Sequence, residues 1–128
     1  MSKNASNKDS TDIQNPSLRE IRESSLFSRI KQRGKVLEEE NLSDIADKTF
    51  FDLESDLRDL SSKTDNLRID PSIKNIIDRA HDDAASLSYK AKYEPKMRAS
   101  PSFFGTSRNL KKKLSMLNKL VDDEEESD

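Results

Sequence analysis

Few residues here could carry chemistry, and they are unevenly placed. His81 is the only histidine and is followed by Asp82 and Asp83. A general base or metal ligand on a helix needs a partner one turn away, and position 85 offers only Ala85. His81 therefore reads as a solvent-facing side chain. The absence of Cys removes a disulfide framework, a thiolate zinc site and a cysteine nucleophile. Gly34 and Gly105, the only glycines, are too few for a phosphate-cradling loop. Carboxylates are plentiful, but a general acid needs a desolvated pocket to raise its pKa. Leu, Ile, Val and Phe together supply only 28 of the 128 residues, little material for such a pocket. No enzymatic activity, cofactor, metal or small-molecule substrate is expected.

The strongest chemical signal is cationic. Between Lys92 and Lys119 stand Lys92, Lys96, Arg98, Arg108, Lys111, Lys112, Lys113 and Lys119, opposed by Glu94 alone. Phe103 and Phe104 sit among them, and aromatic rings stack on bases. Arg108, Lys111, Lys112, Lys113 and Lys119 are accordingly the candidate polyanion contacts for nucleic acid. The acidic run Asp122 to Asp128 (DDEEESD) would modulate that binding, or contact basic proteins such as histones. The same run opposes binding to an anionic membrane surface. Lys96/Arg98 with Lys111–Lys113 resembles a bipartite nuclear-import pattern, which places the chain inside the cell, in nucleus or cytoplasm. Ser115 after Lys112-Lys113-Leu114, and Ser100 before Pro101, are candidate phosphorylation sites.

These groups must be positioned by helices. The formal net charge of -2 hides blocks of +4 (1–35), -7 (36–70), +7 (71–121) and -6 (122–128). No apolar stretch approaches the length of a membrane span. Residues 1–15 are polar, have no signal-peptide h-region, and read as a disordered tail. Asn15-Pro16, or Ser17 with Glu20, could cap an amphipathic helix within 16–40; Gly34 is expected to weaken it after Arg33. From Ala46, the residues Phe50, Leu53, Leu57, Leu60, Thr64 and Leu67 follow a heptad spacing. Asp70-Pro71 stops that helix and caps the next, whose face is Ile73, Ile76/Ile77, Ala80, Ala84, Leu87 and Ala91. The short connection implies an αα-hairpin over 41–93, with helices at about 43–68 and 71–93. Phe51 lies off the heptad stripe and is expected to meet a second helix.

Residues 94–106, with Pro95, Pro101 and Gly105, read as a linker, from which Phe103 and Phe104 would anchor a partner. Ser107 would cap a final basic amphipathic helix, 107–121, ahead of the acidic tail 122–128. The fold class is thus all-α: an αα-hairpin or short coiled-coil segment with flanking amphipathic helices and disordered termini. The expected function is non-enzymatic, that of an adaptor or small regulatory subunit meeting other proteins by helix packing. Leu53, Leu57, Leu60, Ile73, Ile77 and Leu87 would form its seam. A seam of this kind needs either flanking helices or another protein to cover it.

Overall fold

The computed structural model describes the backbone of residues 18–126 and the side chains of residues 18–122. The expected tail 1–15, the caps at Asn15 and Ser17, and the side chains beyond Asp122 lie outside the described residues. Among those described, the chain is helical without strands, and no helix is long and apolar enough to cross a membrane.

Residues 18–22 are helical and bury Leu18 and Ile21. The chain then breaks, and Ser24 starts α1 (Ser25–Glu39), its hydroxyl accepting the Phe27 amide at 3.1 Å. Helix α1 runs straight through Gly34. A helical glycine costs about 1 kcal/mol, less than the burial of Leu37 one turn later returns. A Cβ placed at Gly34 would stand 3.4 Å from Leu114 Cδ1 of the last helix, at the near edge of ordinary contact, so the packing does not require glycine there. A short 3-10 turn (Leu42–Asp44) leads to α2 (Asp47–Asp65), and Asp70 caps α3 (Pro71–Tyr93) through the Ser72 amide at 2.9 Å. The α3 start is the one its Asp-Pro pair predicts. Helix α2 starts four residues after Ser43, because the 3-10 turn intervenes and buries Ile45.

The expected linker is not one. Residues Pro95–Ala99 form a 3-10 turn, and α4 (Pro101–Glu126) begins six residues before Ser107. Ser100 is the cap, its hydroxyl accepting the Phe103 amide at 3.2 Å, with Pro101 in the first helical position, where its missing N–H costs nothing. Ser107 is buried within the helix. At its far end α4 continues past Val121 to Glu126, since glutamate is a good helix former even where the dipole disfavours it.

Helix α3 packs on both α2 and α4, and α1 packs on both α2 and α4. The cross-helix pairs give the directions. Arg29–Asp56 with Arg33–Asp52 run α1 against α2; Lys90–Ser102 with Asp83–Lys113 run α3 against α4. In each case residue numbers rise on one helix as they fall on the other. The result is an up-down-up-down four-helix bundle, with α1/α4 and α2/α3 as opposite seams. Its core is continuous from Leu18 to Val121 and is closed by the chain's own helices. Each of the four helices gives the core a single stripe, and Leu18, Ile21 and Ile45 from the segments between and before them complete it.

Candidate functional site

The six seam residues are where the periodicity puts them, but their neighbours come from the same chain. Leu53, Leu57, Leu60, Ile73, Ile77 and Leu87 are all at most 2% exposed, covered by α1 and α4. In the folded chain they offer no surface to a partner. The alanines that permit a close helix approach, Ala80, Ala84 and Ala91, are likewise buried in the chain's own core. Thr64, a poor core residue by composition, is buried with its hydroxyl donating to the carbonyls of Leu60 and Ser61.

The two phenylalanines of the expected anchor separate. Phe103 is 0% exposed and packs edge-on against Phe50, ring centroids 5.7 Å apart at 83°. It is a core residue, because α4 already includes it and turns it inward. Its neighbour Phe104 is 47% exposed. Phe51 is 56% exposed and lines a groove whose other wall, Ser88 and Lys92, comes from α3.

His81 is not partnerless. Its Nε2 lies 2.9 Å from Glu54 Oε2 on α2, a carboxylate 27 positions away that no local spacing rule could supply. Glu54 is also held by Arg58 at 3.0 Å, so the pair ties the hairpin together. Among the described residues no group of three or more His, Asp or Glu could hold a metal ion.

Ion pairs organise the remaining charge. Asp56, 8% exposed, receives Arg29 and, at 2.7 Å, Arg33, which docks α1 onto α2. Lys48 hydrogen-bonds Asp52 at 2.9 Å and holds that carboxyl below the usual carboxylate range, with Arg33 adding to the effect. Across the hairpin's connected end, Lys74 reaches Asp65 at 2.7 Å, Asp78 at 3.1 Å and the Ser61 carbonyl. Burial alone would raise Asp78, but the hydrogen bonds from Ser61 and Lys74 outweigh it and its pKa is lowered. Arg98 clamps the 94–100 connection, donating to the Leu42 carbonyl and to Asp47 Oδ1 at 2.6 Å, with its guanidinium 5.3 Å from the Phe50 ring centre. Of the expected polyanion contacts, Lys113 is spent on Asp83 at 2.7 Å. Arg108, Lys112 and Lys119 are exposed and Lys111 half-buried, and none has an ion-pair partner among the described residues.

Several concavities mark the outside, one of them between α1 and α2, lined by Arg33, Val36 and Asp52, and two over the opposite seams. The first of these two, about 410 Å³, lies over the α2/α3 seam and is lined by Asp47, Lys48, Phe51, Ser88 and Lys92. Tyr89 and Tyr93 follow two of its lining residues in the chain; they are 58% and 62% exposed, their rings 5.1 Å apart. Lys92 Nζ stands 5.2 Å from the Tyr93 ring centre. Three large aromatic side chains thus stand in water around one end of the hairpin. Phe51 was visible in the sequence only as a residue off its stripe. Tyr89 and Tyr93, an i,i+4 aromatic pair on the polar side of α3, carried a signal that the attention to apolar faces passed over. The second concavity lies in the opposite seam, between α1 and α4.

Comparison with models of protein families, with curated proteins and with solved structures finds no match.

Proposed function

We propose that this protein is a non-enzymatic interaction subunit, and that it captures a partner polypeptide on the outer face of the α2/α3 hairpin. The observation carrying this reading is the solvent exposure of Phe51 in this groove, together with that of Tyr89 and Tyr93 on the same helix α3 that supplies the groove's Ser88 and Lys92. The bundle has closed its core without them. Large aromatic side chains held on rigid helices bury much area at little entropic cost, and such residues dominate protein interfaces. Lys48 and Lys92 at the groove's edge favour an apolar segment flanked by carboxylates. The seam leucines act in this picture indirectly, by fixing the helices that carry the aromatics.

Affinity purification with the full chain, compared with a Phe51→Ala/Tyr89→Ala/Tyr93→Ala variant and a Phe104→Ala control, tests the proposal. Proteins retained by wild type and by the control, and lost from the triple variant, are the groove's partners. Each aromatic at the interface centre is expected to change their affinity by tenfold or more, while the folded state is unaffected. Equal retention of every co-purifying protein by the triple variant would refute the assignment.

A further inference from the structure

The groove between α1 and α4 is lined by Lys31, Lys35, Lys111, Ser115 and Asn118, with Gly34 and Leu114 also in its walls and Glu38 its only acid; its volume is about 270 Å³. None of the three lysines has an ion-pair partner among the described residues, Lys31 resting instead 5.7 Å from the Phe27 ring centre. Along the exposed side of α4, Arg108, Lys112, Ser115 and Lys119 recur at intervals of four, three and four, so they share one helical face about 16 Å long. Phe104 stands one turn before Arg108, exposed on the same helix. Elsewhere in the bundle Arg29, Arg33, Lys48, Arg58, Lys74, Arg98 and Lys113 are each bound to a carboxylate, whereas Lys63, Arg68, Arg79, Lys90, Lys92 and Lys96 are not bound to one among the described residues. Among the described residues, Lys31, Lys35, Arg108, Lys111, Lys112 and Lys119 of α1 and α4 have no such partner.

We propose that this face is a composite site for single-stranded nucleic acid. Lys31 and Lys35 of α1, with Arg108, Lys111, Lys112 and Lys119 of α4, take the phosphates. Ser115 and Asn118 supply neutral hydrogen-bonding groups to the backbone, and Phe104 supplies a stacking surface for a base. A membrane surface is disfavoured by the packing of α4. Leu110, Leu114, Leu117 and Val121 are buried in the core, so the helix has no apolar face left to insert. An aromatic beside the cations favours a strand with unpaired bases over a duplex, whose bases are already stacked. This site lies on the seam opposite the aromatic groove and stands or falls independently of the protein-interaction reading.

Fluorescence anisotropy of the full chain with a labelled single-stranded oligonucleotide tests it, with the matching duplex and anionic vesicles as parallel arms. With six phosphates neutralised, the log–log salt slope is expected near about -4, so affinity falls about 250-fold for a fourfold rise in salt. The Lys31→Glu/Lys35→Glu variant should bind at least about tenfold more weakly, with a slope of about -3 or shallower. Phe104→Ala should lose about fivefold or more with its salt slope unchanged. The α1 variant is decisive, since it leaves the basic stretch of α4 untouched. Wild-type affinity in that variant, a preference for the duplex, binding to vesicles only, or no salt-dependent binding would each overturn the proposal.

Discussion

Phe103 and Phe104 are adjacent, chemically identical, and placed by the structure in opposite environments, which makes them a sharp test of the fold. Phe103 is fully buried against Phe50, and Phe104 is about half exposed. Truncating a buried phenylalanine to alanine removes its transfer free energy and leaves a cavity, so Phe103→Ala should cost about 3–5 kcal/mol. The edge-on contact with Phe50 accounts for about 0.5–1.5 kcal/mol of this. At roughly 4 °C per kcal/mol for a domain of this size, the melting temperature should drop by roughly 12–20 °C. Phe104→Ala should stay within about 0.5 kcal/mol of wild type. Because total stability is only about 5–15 kcal/mol, Phe103→Leu provides a milder step that keeps most of the apolar volume and loses the ring pair, at about 1 kcal/mol. Urea unfolding of the four chains, followed by far-UV circular dichroism, gives all three differences. Equal midpoints for the two alanine variants would mean that Phe103 is not in the core and that α4 does not turn it inward against Phe50.

Stability should also follow pH at both extremes. Asp52, through its hydrogen bond from Lys48, and Asp78, through hydrogen bonds that outweigh its burial, have folded pKa values lowered from an ordinary 3.8. Their contribution is therefore present above that value and lost as pH falls through the folded pKa. Burial would lower Lys74, but Asp65 and Asp78 outweigh it and raise its pKa from 10.5. Its contribution is present below that value and lost as pH rises through the folded pKa. Urea midpoints measured across the range should form a plateau that falls at both ends, and a midpoint that keeps rising into acid would contradict these pairings. Gly34→Ala should stabilise the protein by about 0.5–1 kcal/mol, because the residue is helical and its new methyl group would meet Leu114 at ordinary contact distance. A loss of stability measured by thermal melting would show that α1 and α4 pack more closely than 3.4 Å allows.

What the sequence made legible was local. The Asp70-Pro71 start, the stripe through Leu53, Leu57 and Leu60, and the Ile73–Ala91 face all follow from capping and from the 3.6-residue period, which act over one or two turns. The errors share a cause as well. Ser100-Pro101 is the same kind of cap as Asp70-Pro71, yet the surrounding Pro, Ser and Gly suggested a linker; the tertiary contacts of Phe103 and the Arg98 clamp decide otherwise. On propensity alone Gly34 should weaken α1, yet the helix continues through it to Glu39 and buries Leu37. A heptad stripe states that a helix must be covered, and its periodicity is identical whether the cover is the same chain or another. Only the positions of α1 and α4 answer that question, and they answer it in favour of the chain itself.

The same distinction applies to charge. Summed along the sequence, residues 36–70 are strongly acidic and residues 71–121 strongly basic, which suggests one acidic and one basic surface. In space, among the described residues, five of the eleven acids of the acidic block are taken up by ion pairs. Asp47 binds Arg98, Asp52 binds Arg33 and Lys48, Glu54 binds Arg58 and faces His81, Asp56 binds Arg29 and Arg33, and Asp65 binds Lys74. Three of these partners, Arg29, Arg33 and Arg98, are drawn from outside the hairpin, from α1 and from the 94–100 connection. The basic block gives up Lys74, Arg98 and Lys113 to internal pairs, but Arg108, Lys111, Lys112 and Lys119 have no ion-pair partner among the described residues. A partner therefore meets the difference between the charges a segment carries and those its neighbours have taken up. In this bundle that difference leaves Lys31, Lys35 and Lys111 together in the α1/α4 groove.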